Sequence, residues 1–192
     1  IHINWSDIRS VVTLSLPRTL GLSLNNISIL VLVAMISKLG DGAISMFTFS
    51  YNLQSVPIGI IGISYSVASF PTLVRFFTTN EQTLFVDHIL EASKKIIFWS
   101  LPIVFLFIVL RAQIVRVILG TGSFSWTDTR ITAAALALFS ISLVAQSLVH
   151  LFVRGYYAAG NTKKPLLINI FSALFTIIIA HVLINIFNSH VA

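Results

Sequence analysis

The stretch that decides the fold is Gly42 to Phe77, GAISMFTFSYNLQSVPIGIIGISYSVASFPTLVRFF, which carries no charged side chain before Arg75. About 20 apolar residues are enough to cross a bilayer, because each residue of an α-helix adds about 1.5 Å. The stretch is too long for the core helix of a small soluble domain. It is therefore predicted to be a membrane helix with residues to spare.

Small and polar residues recur along this stretch at alternating steps of three and four, which places them on one face of a regular α-helix. They are Ser45, Thr48, Asn52, Ser55, Gly59, Gly62, Ser66 and Ser69. In lipid such a face turns toward protein or water, since small residues let backbones approach and polar groups need partners. Two interpretations follow, tight helix packing or the wall of a polar pathway.

Proline and glycine mark the place where this helix is expected to bend. Pro57 lacks the N–H of a regular turn, and Gly59 and Gly62 follow it closely, which lowers the cost of bending. We predict a hinge at these three residues. For the same reason Pro17 predicts a kink or a local break in the first span.

The composition is that of a polytopic membrane protein. Of the 192 residues, 56% are hydrophobic and 9% are charged, whereas about a quarter are charged in soluble domains. The mean hydropathy is +0.95. The basic residues that give the net charge of +6 lie between the apolar runs, where lipid headgroups account for them. Nucleic acid is therefore not a predicted partner. The absence of cysteine excludes disulfides and thiolate chemistry.

The apolar runs predict an all-α fold with about five transmembrane helices, at residues 9–37, 43–76, 84–110, 128–157 and 164–187. Capping boxes are predicted before two of them, at Ser125 with Asp128 and at Thr78 with Glu81 or Thr79 with Gln82. The third span has a short charge-free part. Its amphipathic lead-in must therefore supply the missing length or lie along the interface.

Lysine and arginine predict the orientation of the chain. If the connections lie alternately on the two sides of the membrane, seven of these residues fall on one side and four on the other. The first side has Arg9, Arg75, Lys94, Lys95, Arg154, Lys163 and Lys164, and the second has Lys38, Arg111, Arg116 and Arg130. Because cytoplasmic loops carry the excess, the N-terminus is predicted to be cytoplasmic.

Polar side chains inside the spans are the candidates for a substrate pathway. Arg18 has two interpretations, a side chain that reaches lipid headgroups or a cavity-facing cation for an anionic substrate. Asn26, next to Asn25, is expected to bridge helices, with a cation site as the lesser alternative. Polar residues recur every four positions along the fourth span, at Ser142, Gln146, His150 and Arg154.

No motif predicts catalysis. The sequence contains no HExxH, GxSxG, GxGxxG or Walker pattern, and its five histidines lack metal-ligand spacing. The six acidic residues lie in the predicted loops, in the amphipathic lead-in of the third span or at the start of the fourth. We therefore predict a protein that is not an enzyme and that has no cofactor and no metal centre.

Several motifs, taken in order across nearly the whole chain, carry a resemblance to a known family. They are LP at residues 16–17, YNLQSVPIGI at 51–60, FPTL at 70–73, LGTGSF at 119–124 with Asp128, RGYYA at 154–158 and NTKKP at 161–165. Their order and spacing resemble the MurJ (MviN) lipid II flippases of the multidrug/oligosaccharidyl-lipid/polysaccharide exporter superfamily.

The resemblance implies two six-helix bundles around a central cavity. This chain would be a fragment, with the first five helices of the second bundle, and its partner would be the first bundle of the same parent protein. The implied activity is movement of undecaprenyl-pyrophosphate-linked peptidoglycan precursor across the bacterial cytoplasmic membrane by alternating access, among membrane lipids. The opening on Ile1, without methionine, also suggests a fragment.

The resemblance also implies site residues. Family members commonly carry a cavity arginine five residues before the proline of the second-span block, where this chain has Asn52. Arg18 is the candidate that would supply the missing charge. The full set of substrate-binding candidates is Arg18, Asn52, Ser55, Gln146 and Arg154.

Two alternatives stay open. One is a related exporter of another polyprenyl-linked oligosaccharide or of an amphipathic drug. The other is a membrane scaffold that transports nothing.

Overall fold

The computed structural model describes the backbone of residues 5–40, 42–120 and 124–191, with the side chains of these residues other than 5–11, 14, 17, 18, 22, 39 and 187–191. In this part the chain forms helices and turns and contains no strand, so the all-α prediction is confirmed. The helices are α1 (Trp5–Ile36), a 3-10 turn (Ser37–Leu39), α2 (Ala43–Pro57), a π-helical segment (Ile58–Ile63), α3 (Ser64–Thr78), α4 (Gln82–Val109), α5 (Arg111–Leu119), α6 (Trp126–Ala158) and α7 (Lys163–Val191).

Five helical stretches of the described residues are long and apolar enough to cross a membrane, as predicted. They are Thr19–Ile36 within α1, Ala43–Thr78, Gln82–Val109, Trp126–Ala158 and Lys163–Ile186. The lead-in of the third span belongs to the same continuous helix as its apolar part, so it supplies the missing length. Helix α1 continues through Pro17, so the predicted break is wrong, because the fixed φ of proline is compatible with a helix. The kink stays a prediction.

The chain divides into two compact units. The first comprises Ile1–Asp41 and Gly160–Ala192, and within it α1 packs on α7. Gly21 lies at this contact, because a Cβ added there would be 3.3 Å from Asn169 Nδ2. The second comprises Gly42–Ala159, where α6 packs against α2, the π-helical segment, α3, α4 and α5. The assignment of the chain to one partial bundle stays a prediction.

The second span is one helical stretch with a change of hydrogen-bond pattern in its middle. Directly after Pro57 the backbone forms the six-residue π-helical segment Ile58–Ile63 and then returns to α geometry. A π-helical turn holds about one more residue than an α-helical turn, because its hydrogen bonds span five residues rather than four. The segment therefore offsets α3 from α2 by about one residue, or roughly 100° of rotation.

This offset contradicts the prediction that the small and polar residues share one face. Those in α2, namely Ser45, Thr48, Asn52 and Ser55, are exposed. Those beyond Gly59, namely Gly62, Ser66 and Ser69, are buried. The prediction assumed a regular α-helix throughout, and one extra residue in the middle separates the two halves of the stripe.

One of the predicted capping boxes is confirmed. The Asp128 backbone N–H donates to Ser125 Oγ at 3.1 Å, and the Ser125 N–H donates to Asp128 Oδ2 at 2.8 Å. The two side chains thus satisfy two free amide groups at the start of α6.

The capping box predicted before the third span is wrong. Helix α3 extends to Thr78, and the hydroxyls of Thr78 and Thr79 donate back to the Arg75 carbonyl at 2.9 and 3.0 Å. Both threonines therefore close α3 instead of opening α4. Glu81, the N-cap of α4, has no side-chain capping bond. Glu91 and Lys95 form an ion pair on the surface of α4, with 2.6 Å between Oε1 and Nζ.

Gly62 sets the closest approach between the second span and α6. A Cβ added at Gly62 would lie 2.7 Å from Ser147 Cα and 2.9 Å from Ser147 Cβ. Both atoms are closer than van der Waals contact, and the first belongs to the backbone of a long helix. Only glycine fits here, which agrees with the use of small residues where membrane helices pack tightly.

We expect Gly62→Ala to lower the free energy of unfolding by about 1–3 kcal/mol, because α6 must move to admit the methyl group. The measurement is unfolding of the purified protein in detergent micelles by added SDS. The matched control is Gly59→Ala, three residues away, since nothing lies within 4 Å of an added Cβ there. Equal stability of the two variants would contradict the close approach.

Candidate functional site

The first half of the second span presents a polar face that the chain itself leaves uncovered. Asn52 and Ser55 are exposed, and the Ser55 hydroxyl donates to the Asn52 carbonyl at 2.7 Å. Ser45 and Thr48 extend the same face toward the start of α2. We call these four residues the polar face. Polar side chains at this depth need water, substrate or another protein surface beside them.

A different side of α2 is tied to α6 by buried hydrogen bonds. Gln54 is 1% exposed, and its Nε2 donates to the Phe139 carbonyl at 2.7 Å and to Ser142 Oγ at 3.0 Å. One turn earlier, buried Ser50 donates to the Thr132 carbonyl at 2.9 Å. Neither residue was predicted from the sequence as part of a site. Their four-residue spacing, apart from the polar face, was the signal that could have revealed them.

Gln146 belongs to the same set of hydrogen bonds as Gln54. Its Nε2 donates to Ser142 Oγ at 2.7 Å, and Ser142 Oγ in turn donates to the Phe139 carbonyl at 2.7 Å. Ser142 thus accepts from two amides, which fills the two lone pairs of its oxygen. The structure brings Gln146 together with Gln54, not with the exposed Asn52.

Arg154 lies near the end of α6 and is half-buried. It is eight residues from Gln146, or about 12 Å along the helix, so the two side chains are not parts of one cluster. Between them His150 is exposed. The four-residue stripe of α6 therefore changes along its length from helix contacts at Ser142 to a cation at Arg154.

The candidates in the first span belong to the first unit. Asn26 is exposed on α1, as is Asn25. The side chain of Arg18 lies outside the described residues, so its predicted role stays a prediction. The cation site at Asn26 also stays a prediction.

The three hinge candidates lie directly before the π-helical segment or inside it. Pro57 is buried at its start, Gly59 has open space beside it, and Gly62 packs against Ser147. The backbone therefore departs from regular α geometry where proline and glycine predicted bending. Motion at this place stays a prediction.

A cavity of about 430 Å³ lies between the start of α2, α5 and the start of α6. It is lined by Ser45 of the polar face and by the mostly apolar set Gly42, Met46, Phe49, Ile118, Leu119, Phe124 and Asp128. The Asp128 carboxylate already accepts from the Ser125 backbone. These described lining residues include no lysine or arginine, so the cavity is not suited to a phosphate group.

The chain matches known proteins along nearly its whole length. A family model described as lipid II flippase MurJ matches residues 1–191. A probable lipid II flippase MurJ of Bdellovibrio bacteriovorus is 28% identical over 94% of this chain and 35% of the relative. Proteins with the same name from Rickettsia prowazekii and Buchnera aphidicola subsp. Schizaphis graminum are 28% and 29% identical, over 90% and 91% of this chain and 34% of each relative. No solved structure matches the chain.

The chain thus spans about a third of the length of these relatives.

We expect Gln54→Leu to lower the free energy of unfolding by about 1–2 kcal/mol, since hydrogen bonds between membrane helices contribute roughly 0.6 kcal/mol each and at most about 1.7. The readout is SDS-induced unfolding in detergent micelles. Asn52→Leu, two residues away on the polar face, is the control and should change stability by less than about 0.5 kcal/mol. A larger loss for Asn52→Leu than for Gln54→Leu would show that the two sides of α2 have been interchanged.

Proposed function

The chain belongs to the family of the lipid II flippase MurJ, and we propose that it forms part of a protein that moves undecaprenyl-pyrophosphate-linked peptidoglycan precursor across the cytoplasmic membrane. The observation that carries this proposal is the family match over residues 1–191. The five apolar helices agree with it, because a transporter for a lipid-linked substrate must span the membrane.

The polar face of α2 is the proposed contact with the substrate head group. Asn52 and Ser55 carry donors that suit phosphate and sugar oxygens, and both are exposed. Hydrogen bonds to an ionised group are about twice as strong as neutral ones. In a span surrounded by lipid, four polar residues on one uncovered side support a pathway over a lipid contact.

The positive charge for a pyrophosphate must come from elsewhere, because an asparagine carries none. Arg154 is the proposed source in the second unit, since it is half-buried at the end of α6. Arg18 is the proposed source in the first unit. Gln146 is proposed to bind substrate only in a state in which it has left Ser142, its present hydrogen-bond acceptor.

The proposed partner is a first helical bundle of the same parent protein. Support comes from the relatives, which are about three times as long as this chain. This partner bundle would also cover the polar face, so that a closed pathway would lie between the partner bundle and this chain. We propose that this assembly lies in the bacterial inner membrane with the N-terminus of this chain cytoplasmic, because lysine and arginine are concentrated on that side.

The proposed activity is transport without catalysis, so substrate binding and conformational change carry the mechanism. In alternating access two bundles rock around a fixed site, and bent helices at the site absorb the motion. The π-helical segment beside the polar face is the proposed flexible point. The three relatives described above have the same name, and no observation favours another exporter or a scaffold.

The test is complementation in a bacterium depleted of its own lipid II flippase, with the full-length parent protein. The parent should restore growth, and this chain alone should not. Asn52→Leu in the parent should lower lipid II flipping by about 10- to 100-fold, because a hydrogen bond to a charged group contributes about 1.5–3 kcal/mol. Asn52→Arg, made in the wild-type parent, should flip lipid II at the wild-type rate or faster, since arginine binds phosphate in a bidentate manner.

The folding control is Gln54→Leu. This variant should lower the free energy of unfolding, with a smaller effect on the rate of flipping per folded molecule. Failure of the parent to support growth, at normal membrane levels, would overturn the proposed substrate. Full flipping by Asn52→Leu would overturn the role of the polar face while leaving the family function intact.

A further inference from the structure

The second span contains a stripe of small and polar residues. The stripe is continuous if the span is a regular α-helix, and it is divided if the span contains the π-helical segment. In a regular α-helix, Thr48 and Ser55 would lie on the same side as Gly62, Ser66 and Ser69. In the structure the first two are exposed and the last three are buried. The π-helical segment Ile58–Ile63 alone accounts for the difference, because it shifts the two halves by about one residue.

One buried hydroxyl on α6 lies beside α2 without a hydrogen-bond partner. Thr132 Oγ1 has none among the described residues. Thr132 is 0% exposed, and its carbonyl accepts from Ser50 of α2. A buried hydroxyl without a partner is unfavourable, so a second arrangement of α2 on α6 that supplies donors or acceptors can compete with this one.

We propose that the π-helical segment is a register switch. When it converts to α geometry, α2 rotates about its axis by roughly 100° while α3 stays packed on α6. This rotation turns Gln54 away from α6 and brings Thr48 and Ser55 toward it. Ser55 follows Gln54 by one residue, or about 1.5 Å along the helix, and so reaches the level of the Phe139 carbonyl and Ser142.

The local sequence keeps both geometries accessible. Pro57 lacks an N–H and its ring clashes with the carbonyl four residues earlier, which weakens α geometry at the start of the segment. Gly59 meets nothing within 4 Å of an added Cβ, so rotation there encounters no neighbour. Gly62 keeps the pivot close to Ser147 in either state, because α3 does not move.

The switch gives the polar face two states. In the π form Asn52 and Ser55 are exposed, and in the α form Ser55 packs on α6 and Asn52 moves toward that contact. The role of the register switch in transport rests on the proposed function, in which Asn52 and Ser55 bind the substrate head group. Binding and release would then be linked to rotation of a single half-helix, not only to movement of whole bundles.

The experiment uses pairs of introduced cysteines, because the chain contains none. Gln54→Cys with Ser142→Cys reports the π form, and Ser55→Cys with Ser142→Cys reports the α form. Val56→Cys with Ser142→Cys is the control, since Val56 is 57% exposed and points away from α6 in both forms. Each pair is introduced into the full-length protein with its remaining cysteines replaced, and disulfide yield is measured in native membranes after mild oxidation.

We expect both reporting pairs to form disulfides well above the Val56 control. Removal of Ile60, an exposed residue of the segment, takes out the extra residue, so the span closes in α geometry with Gln54 still facing α6; this variant should keep the Gln54 pair and abolish the Ser55 pair. Pro57→Ala, which deletes no residue, should raise the ratio of the Ser55 pair to the Gln54 pair by about ten-fold or more, because it relieves the cost of α geometry.

A Ser55 pair that never exceeds the Val56 control would overturn the switch, and so would a ratio that Pro57→Ala leaves unchanged. If the variant without Ile60 does not insert into the membrane, the Pro57→Ala ratio decides. Crosslinking requires no transport, so it tests the switch independently of the proposed substrate.

Discussion

Gln54 is a buried amide in a span that crosses an apolar medium, and the packing of the second unit depends on how it is satisfied. Lipid offers no hydrogen bonds, so each polar group must find its partner within the protein. The Phe139 carbonyl and Ser142 supply those partners and thereby fix which side of α2 meets α6. The polar face is left uncovered as a direct result, and that face is the proposed contact with the substrate.

Close approach at Gly62 completes this arrangement. Interhelical hydrogen bonds in membranes are weak individually, so tight contact of small residues must contribute to helix association. Gly62 and Ser147 provide that contact one helical turn beyond Pro57. The second span therefore combines an exposed polar half with a closely packed half, and the π-helical segment between them lets one helix serve both purposes.

Hydropathy and capping chemistry predicted much of the fold. Five spans and the Ser125–Asp128 box depend on local sequence, so they were predictable. The division of the polar stripe was not, because periodicity assumes a uniform turn and a single extra residue changes the face. Gln54 was missed for a related reason, since its partners come from α6, about 85 residues later. Asn52 and Ser55 are exposed in the structure, and their role in substrate binding stays a prediction.

The central claim is that the second span changes from an exposed polar face to a packed one at Pro57. The most direct test is single-cysteine scanning of the full-length protein in membranes with a water-soluble thiol reagent. The account predicts rapid labelling before Pro57 and protection after Gly59. The positions are Ser45, Thr48, Asn52, Ser55, Gly62, Ser66 and Ser69. Equal protection at all seven positions, or labelling that does not change at Pro57, would contradict it.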